Sequence, residues 1–376
     1  MMPRRPLLGS IGVVAGCVIL VTVLLSACGR RSPEPVERHL SVYNWADFIG
    51  KTTIADFEKE TGIRVDYDTF DADTTLEAKM LSGGSDYDVV STAQNFFSRQ
   101  IKAGTYRTLD RTRLTNWKNL DPKSLALLAD SDPANAHAVP YLHAINGYAY
   151  NVDLIRARMP DAPVDSLDLI FKPEYIKRFA DCGVSFLDSA EDVLQLALNY
   201  LHLDPNTTRP EDFKKAEDLL MAVRPYIRNF DSSEYMNGLA TEEVCIVMSW
   251  SSDYAVSMAR ARAAGLKVSL AFTVPKEGAN ITFNGLLIPI DAPHPAEAHE
   301  FLNFMMRPDV IAKVTNDTRY ANENLAANPL VDPAILNDHT IYQSPEIAKR
   351  LYVTSEVNAA TERIRTRLWT HIKTGR

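Results

Sequence analysis

Residues 41–48 read SVYNWADF, an alternating run that breaks at Asn44 into an aromatic residue, a carboxylate and a second aromatic residue. The first positions of this run favour a β-strand. A strand that ends in this way puts Trp45, Asp47 and Phe48 on the loop at its carboxyl end, which is where open α/β sheets bind ligands.

A similar cluster follows the apolar run at 244–248, where residues 249–254 read SWSSDY and place Trp250 three positions before Asp253. An aromatic face attracts a cation through its quadrupole, and a carboxylate accepts a charge-assisted hydrogen bond. Each Trp taken alone also fits an ordinary core or rim residue. Two such pairs at strand ends indicate a binding site for an organic ammonium.

Length and charge restrict the fold and the partners. The chain has 376 residues, 46% of them apolar and 23% charged, which favours a soluble α/β protein of two domains. The formal charge of −8 becomes −10 once the two arginines of residues 1–28 are set aside. An acidic body argues against a nucleic-acid partner and does not oppose a cationic ligand.

The N-terminus has the pattern of an export signal. Two arginines precede an apolar run from 11 to 25, and the sequence LSAC then ends at Cys28. This tetrad resembles the bacterial lipoprotein signal, so 1–28 is predicted to be a signal peptide and Cys28 the lipidated first residue of the mature chain. A plain signal peptide or an uncleaved transmembrane anchor is the alternative, although the run is short for a spanning helix. Residues 29–38 are predicted to tether the body to the membrane.

The four cysteines divide into two groups. Cys17 and Cys28 lie in the signal segment, which leaves Cys182 and Cys245 in an exported body. In an oxidising compartment two such cysteines are expected to pair, and two buried thiols are the alternative.

The segment after the first strand has the pattern of a parallel α/β unit. A helix is predicted at 52–60, ending at Gly62, and a strand at 63–69. A capping box at 74–77 then opens a second helix, and an apolar run at 87–91 predicts a third strand. Strand, helix, strand, helix and strand in this order indicate a parallel sheet.

Two short runs, at 138–141 and 147–151, predict that the chain crosses to a second domain. The predicted organisation is lobe 1 at 39–144 and 275–318, and lobe 2 at 145–274 and 319–376, the last range including C-terminal helices. More than one crossing gives a hinge of parallel linkers, which suits closure over a ligand.

The sequence shows no nucleophile elbow, phosphate loop, dinucleotide fingerprint or zinc-ligand spacing. The eight histidines are scattered. We therefore expect no enzyme activity, no cofactor and no metal, and a secreted enzyme that uses Asp192, Asp253 and histidines is the least favoured alternative.

Six segments together resemble the polyamine-binding proteins of bacterial ABC importers, and the putrescine-binding members are the nearest match. The resemblance runs from about residue 39 to the C-terminus. It implies a type II periplasmic-binding-protein fold, in which two lobes of mixed sheet and flanking helices close on a hinge and deliver the ligand to a membrane permease. The segments are YNWADF at 43–48, FEKETGI at 57–63, CGVSFLD at 182–188, PKEGA at 275–279, FLNF at 301–304 and YAN at 320–322.

The resemblance also implies a set of ligand-binding residues. Trp45 and Trp250 match the aromatic walls around the methylene chain of the ligand. Asp47 and Asp253 match carboxylates that hold the ammonium ends, and Tyr320 matches a ligand-contact tyrosine.

Other positions depart from the family pattern. Asp192 stands where the putrescine binder has Glu, and Phe48 replaces a Tyr. Ala46 and Ala93 each replace a Ser. Asn284 replaces an Asp, and this loss of a formal charge is expected to weaken diamine binding by roughly one or two orders of magnitude, because a charge-assisted hydrogen bond is worth about 1.5–3 kcal/mol and a neutral one about 1.

The leading hypothesis is a monomeric, lipid-tethered periplasmic protein that captures a putrescine-like diamine or related cationic amine and delivers it to an ABC permease. The alternative is an amine sensor or regulatory binding protein whose altered pocket no longer serves transport.

Overall fold

The computed structural model describes residues 38–46, 48–70 and 72–375. The predicted signal peptide, Cys28 and nearly all of the predicted tether lie outside these ranges, as does Asp47. In the described part of the chain, no helix is long and apolar enough to span a membrane.

The described part of the chain contains both strands and α-helices. The strands are β1 (His39–Trp45), β2 (Arg64–Phe70), β3 (Val89–Ala93), β4 (Ala138–Asn151), β5 (Val184–Phe186), β6 (Asn229–Phe230), β7 (Ile246–Trp250), β8 (Leu270–Thr273), β9 (Ala279–Leu287), β10 (Ala321–Asn322) and β11 (Leu351–Val353). The α-helices are α1 (Thr53–Thr61), α2 (Asp73–Ser82), α3 (Gln94–Lys102), α4 (Pro122–Leu128), α5 (Val152–Arg158), α6 (Asp168–Phe171), α7 (Pro173–Ile176), α8 (Ala190–Tyr200), α9 (Pro210–Val223), α10 (Tyr235–Ala240), α11 (Asp253–Ala263), α12 (Pro295–Met305), α13 (Pro308–Thr318), α14 (Pro333–Leu336), α15 (Pro345–Ala348) and α16 (Ala359–Thr374).

The main strands follow the order β2-β1-β3-β9-β4-β7-β5-β6. β1 pairs in parallel with β2 and β3, and β5 pairs in parallel with β6 and β7. β9 and β4 lie between these two groups, and their contacts with β3, with each other and with β7 are antiparallel. The sheet is therefore mixed, with a parallel group on each side of an antiparallel centre.

Strand β4 connects the two groups. Its first half, to Ile145, pairs with β9, and its second half, from Asn146, pairs with β7 and β8. The sequence predicts two short runs here, and the structure instead has one continuous strand, because the residues between the runs keep the extended conformation and their backbone pairing. The predicted lobe boundaries stay a prediction.

Helix ends show which local signals were correct. Gly62 has a left-handed backbone (φ 70°) and its N–H donates to Glu58 O at 2.9 Å, so it ends α1 as predicted. The predicted capping box is wrong, because α2 begins at Asp73 and the preceding Ala72 has no side chain to cap it. The Asp73 carboxyl instead accepts a hydrogen bond from Thr92 Oγ1 at 2.6 Å.

Apolar side chains and one covalent bond stabilise the two parallel groups. On the β1 side, Phe57 of α1 packs edge-on against Phe301 of α12, with ring centroids 5.1 Å apart. On the β5 side, α8 buries Val193, Leu194, Ala197 and Leu198, as its helical spacing predicts. The predicted disulfide is present, and it joins Cys182 and Cys245 just before β5 and β7.

Candidate functional site

Trp45 ends β1 beside a tight turn. The buried Asn44 side chain fixes this turn, because its Oδ1 accepts from Trp45 N at 2.8 Å and its Nδ2 donates to Phe48 O at 3.2 Å. The half-buried indole packs on Phe70, with ring centroids 4.6 Å apart, and its Nε1 donates to Asn284 Oδ1 at 3.2 Å. Trp45, which is predicted to form a wall of the ligand site, is therefore in direct contact with Asn284, which replaces the Asp of the family pattern.

Phe48 is buried in the core and lies behind Tyr320. Its ring is in edge-on contact with the Tyr320 ring at 4.7 Å and with the Tyr141 ring at 5.8 Å. A buried phenyl ring needs no hydrogen-bond partner, so the structure explains how a residue without a hydroxyl is tolerated here.

Asp253 is the first residue of α11 and follows β7 and Trp250 by three positions. Its side chain is held between two phenols, since Oδ1 accepts from the Tyr320 hydroxyl at 2.6 Å and Oδ2 accepts from the Tyr235 hydroxyl. Only 3% of the residue is exposed. Burial raises the pKa of Asp253 to about 6, although both tyrosine hydrogen bonds oppose the shift. The charge of Arg260 in the same helix also opposes the shift, although no Lys, Arg or His of the described ranges forms an ion pair with Asp253.

Asp192 lies in the first turn of α8, where its N–H donates to the capping Ser189 Oγ at 3.3 Å. Its carboxyl oxygen Oδ1 accepts two side-chain hydrogen bonds, from Asn146 Nδ2 at 2.5 Å and from Asn280 Nδ2 at 3.0 Å. Asn146 is the cross-strand partner of Trp250 in the β4–β7 pair. Directly opposed residues of an antiparallel pair share a face, so Asp192 lies on the same side of the sheet as Trp250.

One face of β9 joins the two ends of the site. Asn280, Thr282 and Asn284 occupy alternate positions of this strand, so their side chains share one face. The face contacts Asp192 at Asn280 and Trp45 at Asn284. Ala93 is the backbone partner of Asn284 in β3, and its small side chain is buried beside this face.

A further carboxyl group, Asp73, faces the site from α2. The pKa of Asp73 is raised to about 7, chiefly by burial and also by the nearby charges of Glu191 and Asp192, although hydrogen bonds from Thr92 Oγ1 and Ala93 N oppose the shift. A group of acidic side chains therefore creates a negative potential around the first turn of α8.

A family model described as bacterial extracellular solute-binding protein matches residues 52–341. The chain belongs to this family.

Relatives of this solute-binding protein extend over nearly the whole chain. The putrescine-binding periplasmic protein SpuD of Pseudomonas aeruginosa strain UCBPP-PA14 is 43% identical over 96% of this chain and 99% of its own. The putrescine-binding periplasmic protein PotF of Escherichia coli strain K12 is 42% identical over 97% of each chain. A solved structure from Listeria monocytogenes, described as a spermidine/putrescine ABC transporter, has a TM-score of 0.81 and 28% identity over 90% of this chain and all of its own. These similarities confirm the predicted family and the predicted two-lobed α/β fold.

The predicted site residues of this solute-binding protein fall into three contacts. Trp45 meets Asn284, Asp253 meets Tyr320, and Asp192 reaches the neighbour of Trp250. Phe48 lies behind Tyr320 in the core, and Asp47 is outside the described residues. Their roles in ligand binding stay predictions.

The sequence reasoning missed four residues of this site, and only some of them left a signal. Asn280 and Asn146 are polar residues at strand positions that face Asp192, and alternation of polar side chains along β9 would have found the first. Asp73 lies just before the predicted capping box, and the sequence does not mark it as a site residue. Tyr235 left no signal, because it is brought to Asp253 by a short helix elsewhere in the chain.

The described residues include no group of His, Cys, Asp and Glu side chains arranged to hold a metal ion.

Proposed function

We propose that this solute-binding protein captures a polyamine, a small molecule with two or more protonated amines, and delivers it to an ABC permease. The relatives that cover nearly the whole chain support this ligand class, since they are described as putrescine-binding periplasmic proteins.

The observation that carries the proposal is the environment of Asp253. A buried carboxylate is costly unless a cation or several hydrogen bonds compensate it. Two phenols supply hydrogen bonds, and the charge of Arg260 lowers the pKa of Asp253 without an ion pair, so no opposite charge among the described residues is in direct contact with this carboxyl group. A protonated amine of the ligand would supply that charge, and it would lower the pKa of Asp253 on binding.

Aromatic surfaces suit the rest of such a ligand. Trp250 precedes Asp253, and Trp45 stands at the other end of the polar face of β9. Indole rings attract cations and also cover a methylene chain, so they favour an alkyl diamine over a purely polar solute. A ligand that touches residues from both lobes stabilises the closed state, which the permease then recognises.

Export and anchoring are part of the same proposal. Lipidation at Cys28 would hold the protein at the membrane next to its permease, and 29–38 would act as the tether. We propose a monomer that binds and releases its ligand unchanged, without catalysis. The comparisons favour this transport role over the amine-sensor alternative, because a solved structure similar to this chain is described as a spermidine/putrescine ABC transporter.

Calorimetric titration of the purified chain with putrescine, spermidine, agmatine and several amino acids tests the proposal. Asp253→Asn is expected to weaken binding of the best amine roughly 3- to 30-fold, because a charge-assisted hydrogen bond of about 1.5–3 kcal/mol is replaced by a neutral one of about 1 kcal/mol. Asp212→Asn is the matched control, since Asp212 is a buried acid of α9 that bonds Thr207 and Lys215 instead. Failure of every cationic amine to bind would refute the proposal.

A further inference from the structure

Two buried side-chain oxygens beside Asp192 have no hydrogen-bond donor in the described part of the chain. They are Oδ1 of Asn146 and Oδ1 of Asn280. The two residues are 1% and 0% exposed. Each donates its Nδ2 to Asp192 Oδ1, and in each carboxamide the oxygen and the nitrogen are bonded to the same carbon. Both free oxygens must therefore lie close to the Asp192 carboxyl group.

These oxygens are unusual because buried polar atoms normally find a partner. Leaving one buried acceptor unsatisfied costs about 1–3 kcal/mol, so a ligand or solvent donor at this place is strongly favoured. A third atom, the hydroxyl of Tyr352, is also buried without a partner in the described residues. Tyr352 of β11 is the parallel cross-strand partner of Asn280, which brings the hydroxyl to the same neighbourhood.

The surrounding charge selects a cationic donor. Glu191 is already compensated, since its Oε1 lies 3.2 Å from Arg365 Nη2 and its Oε2 accepts from Asn95 at 2.7 Å. Asp192 and Asp73 have no ion pair in the described ranges. Acceptors and uncompensated carboxyl groups together fit a nitrogen cation that carries several N–H donors.

We propose that Asn146 and Asn280, with Asp192, form an acceptor subsite for one primary ammonium end of the ligand, so that the protein selects amines by their N–H donors as well as by charge. This inference rests on the proposed function and specifies its ligand class. Asn146 lies across the strand pair from Trp250, which leads to Asp253 three residues on. The ligand passes along the indole of Trp250, with one ammonium at Asp253 and the other at the acceptor subsite.

The consequence is that a ligand with two ammonium ends depends on both asparagines, whereas a monoamine held at Asp253 does not. Asn146→Leu and Asn280→Leu keep the approximate side-chain size and remove the carboxamide, that is, the carbonyl oxygen together with the Nδ2 that donates to Asp192. We expect each variant to bind 1,4-diaminobutane roughly 10- to 150-fold more weakly, the value of a hydrogen bond to a charged group. Binding of butylamine should stay within about twofold of the wild type, because the free energy of its contacts is unchanged.

Asn324→Leu is the matched control. Asn324 is likewise buried (3% exposed), donates its Nδ2 to the backbone oxygen of Met306, and has an unsatisfied Oδ1 in the described part of the chain. It follows β10 and lies in a different cluster from Asp192. It should lose stability as the other variants do and keep the wild-type affinity for both amines.

Calorimetry on the four proteins distinguishes the outcomes. Wild-type affinity for the diamine in both site variants, or an equal loss for the diamine and the monoamine, would overturn the acceptor subsite while leaving the proposed function in place. Absence of diamine binding to the wild type would remove the proposed function and this inference with it. Should the site variants not fold, methylation of both diamine nitrogens answers the same question in the wild type: the fully methylated compound keeps its charge without N–H groups, and equal affinity would overturn the proposal.

Discussion

Replacing Asp253 by Asn should make the ligand-free protein more stable near neutral pH and at the same time weaken its binding of cations. The folded protein holds this carboxyl between two tyrosine hydroxyls in a buried position, where the charged form is penalised. Asparagine has nearly the same shape and can bond both phenols without carrying a charge. The variant therefore lacks the unfavourable free energy of a buried charge. In the wild type, that free energy is compensated only when a cation is bound.

The magnitude follows from the pKa of Asp253, which burial raises from 3.8 to about 6. A difference of about two units corresponds to about 3 kcal/mol, at 1.36 kcal/mol for each unit. Because the folded-state pKa is above the unfolded one, the favourable contribution of the protonated carboxyl is fully present below about pH 4. It is lost as the pH rises through about 6. The stability difference between Asp253→Asn and wild type should therefore grow over this window and become constant above it.

Urea unfolding of both proteins at a series of pH values measures this difference. Asp168→Asn is a control in which the pKa of the carboxyl group is shifted in the opposite direction. Partial burial raises the pKa of Asp168, but hydrogen bonds from the Lys172 ammonium and the Tyr200 hydroxyl hold it below its ordinary value. That substitution should cost more stability as the pH rises. A saturating amine should reverse the order at neutral pH, because it stabilises chiefly the wild type. A difference for Asp253→Asn that is independent of pH would refute the reasoning.

Three further substitutions test other parts of the structure. Asn284→Asp introduces a negative charge beside the Trp45 indole and should strengthen diamine binding roughly 3- to 30-fold by calorimetry, since a charged acceptor adds about 0.5–2 kcal/mol over a neutral one. This is smaller than the one or two orders of magnitude expected from the sequence, and unchanged or weaker affinity would contradict it. Changing both Cys182 and Cys245 to Ser opens a bond that spans 63 residues and should lower the free energy of unfolding by about 4 kcal/mol, a loss that should vanish when wild type and variant are compared under reducing conditions. Cys28→Ser should release the protein from the membrane fraction into the soluble periplasmic fraction, and persistent membrane association would exclude lipidation as its anchor.

Much of the fold could be predicted from local signals. Gly62 ends α1, Ser189 caps α8, and the apolar spacing of α8 identifies its buried face, because each signal acts through neighbours in the sequence. The predicted capping box was wrong because a contact with a distant segment, and not a local signal, determines where α2 begins. The carboxyl of Asp73 is bonded by Thr92 of β3, and this tertiary contact fixes the helix start ahead of the predicted box.

The candidate site divides in the same way. Trp45 and Trp250 are the last residues of β1 and β7, and Asp253 follows β7, positions that the sequence reveals. Tyr235 reaches Asp253, and Asn146 reaches Asp192, only after distant segments have packed together. The environment of a carboxyl group, and so the direction of its pKa shift, depends on such contacts and could not be read from residue order.

The continuity of β4 affects how the lobes can move. Its two halves are bonded to different strands, and the change of partner falls between Ile145 and Asn146. Backbone rotation at the Ile145–Asn146 peptide would change the angle between the lobes and leave the hydrogen bonds of β4 to β9 and to β7 intact. Deuterium exchange should then find slow amides along both halves of the strand in the free and bound protein. Asn146 also contacts Asp192, so the same residue would belong to the hinge and to the binding site. Ligand binding would then restrict backbone rotation at the hinge directly.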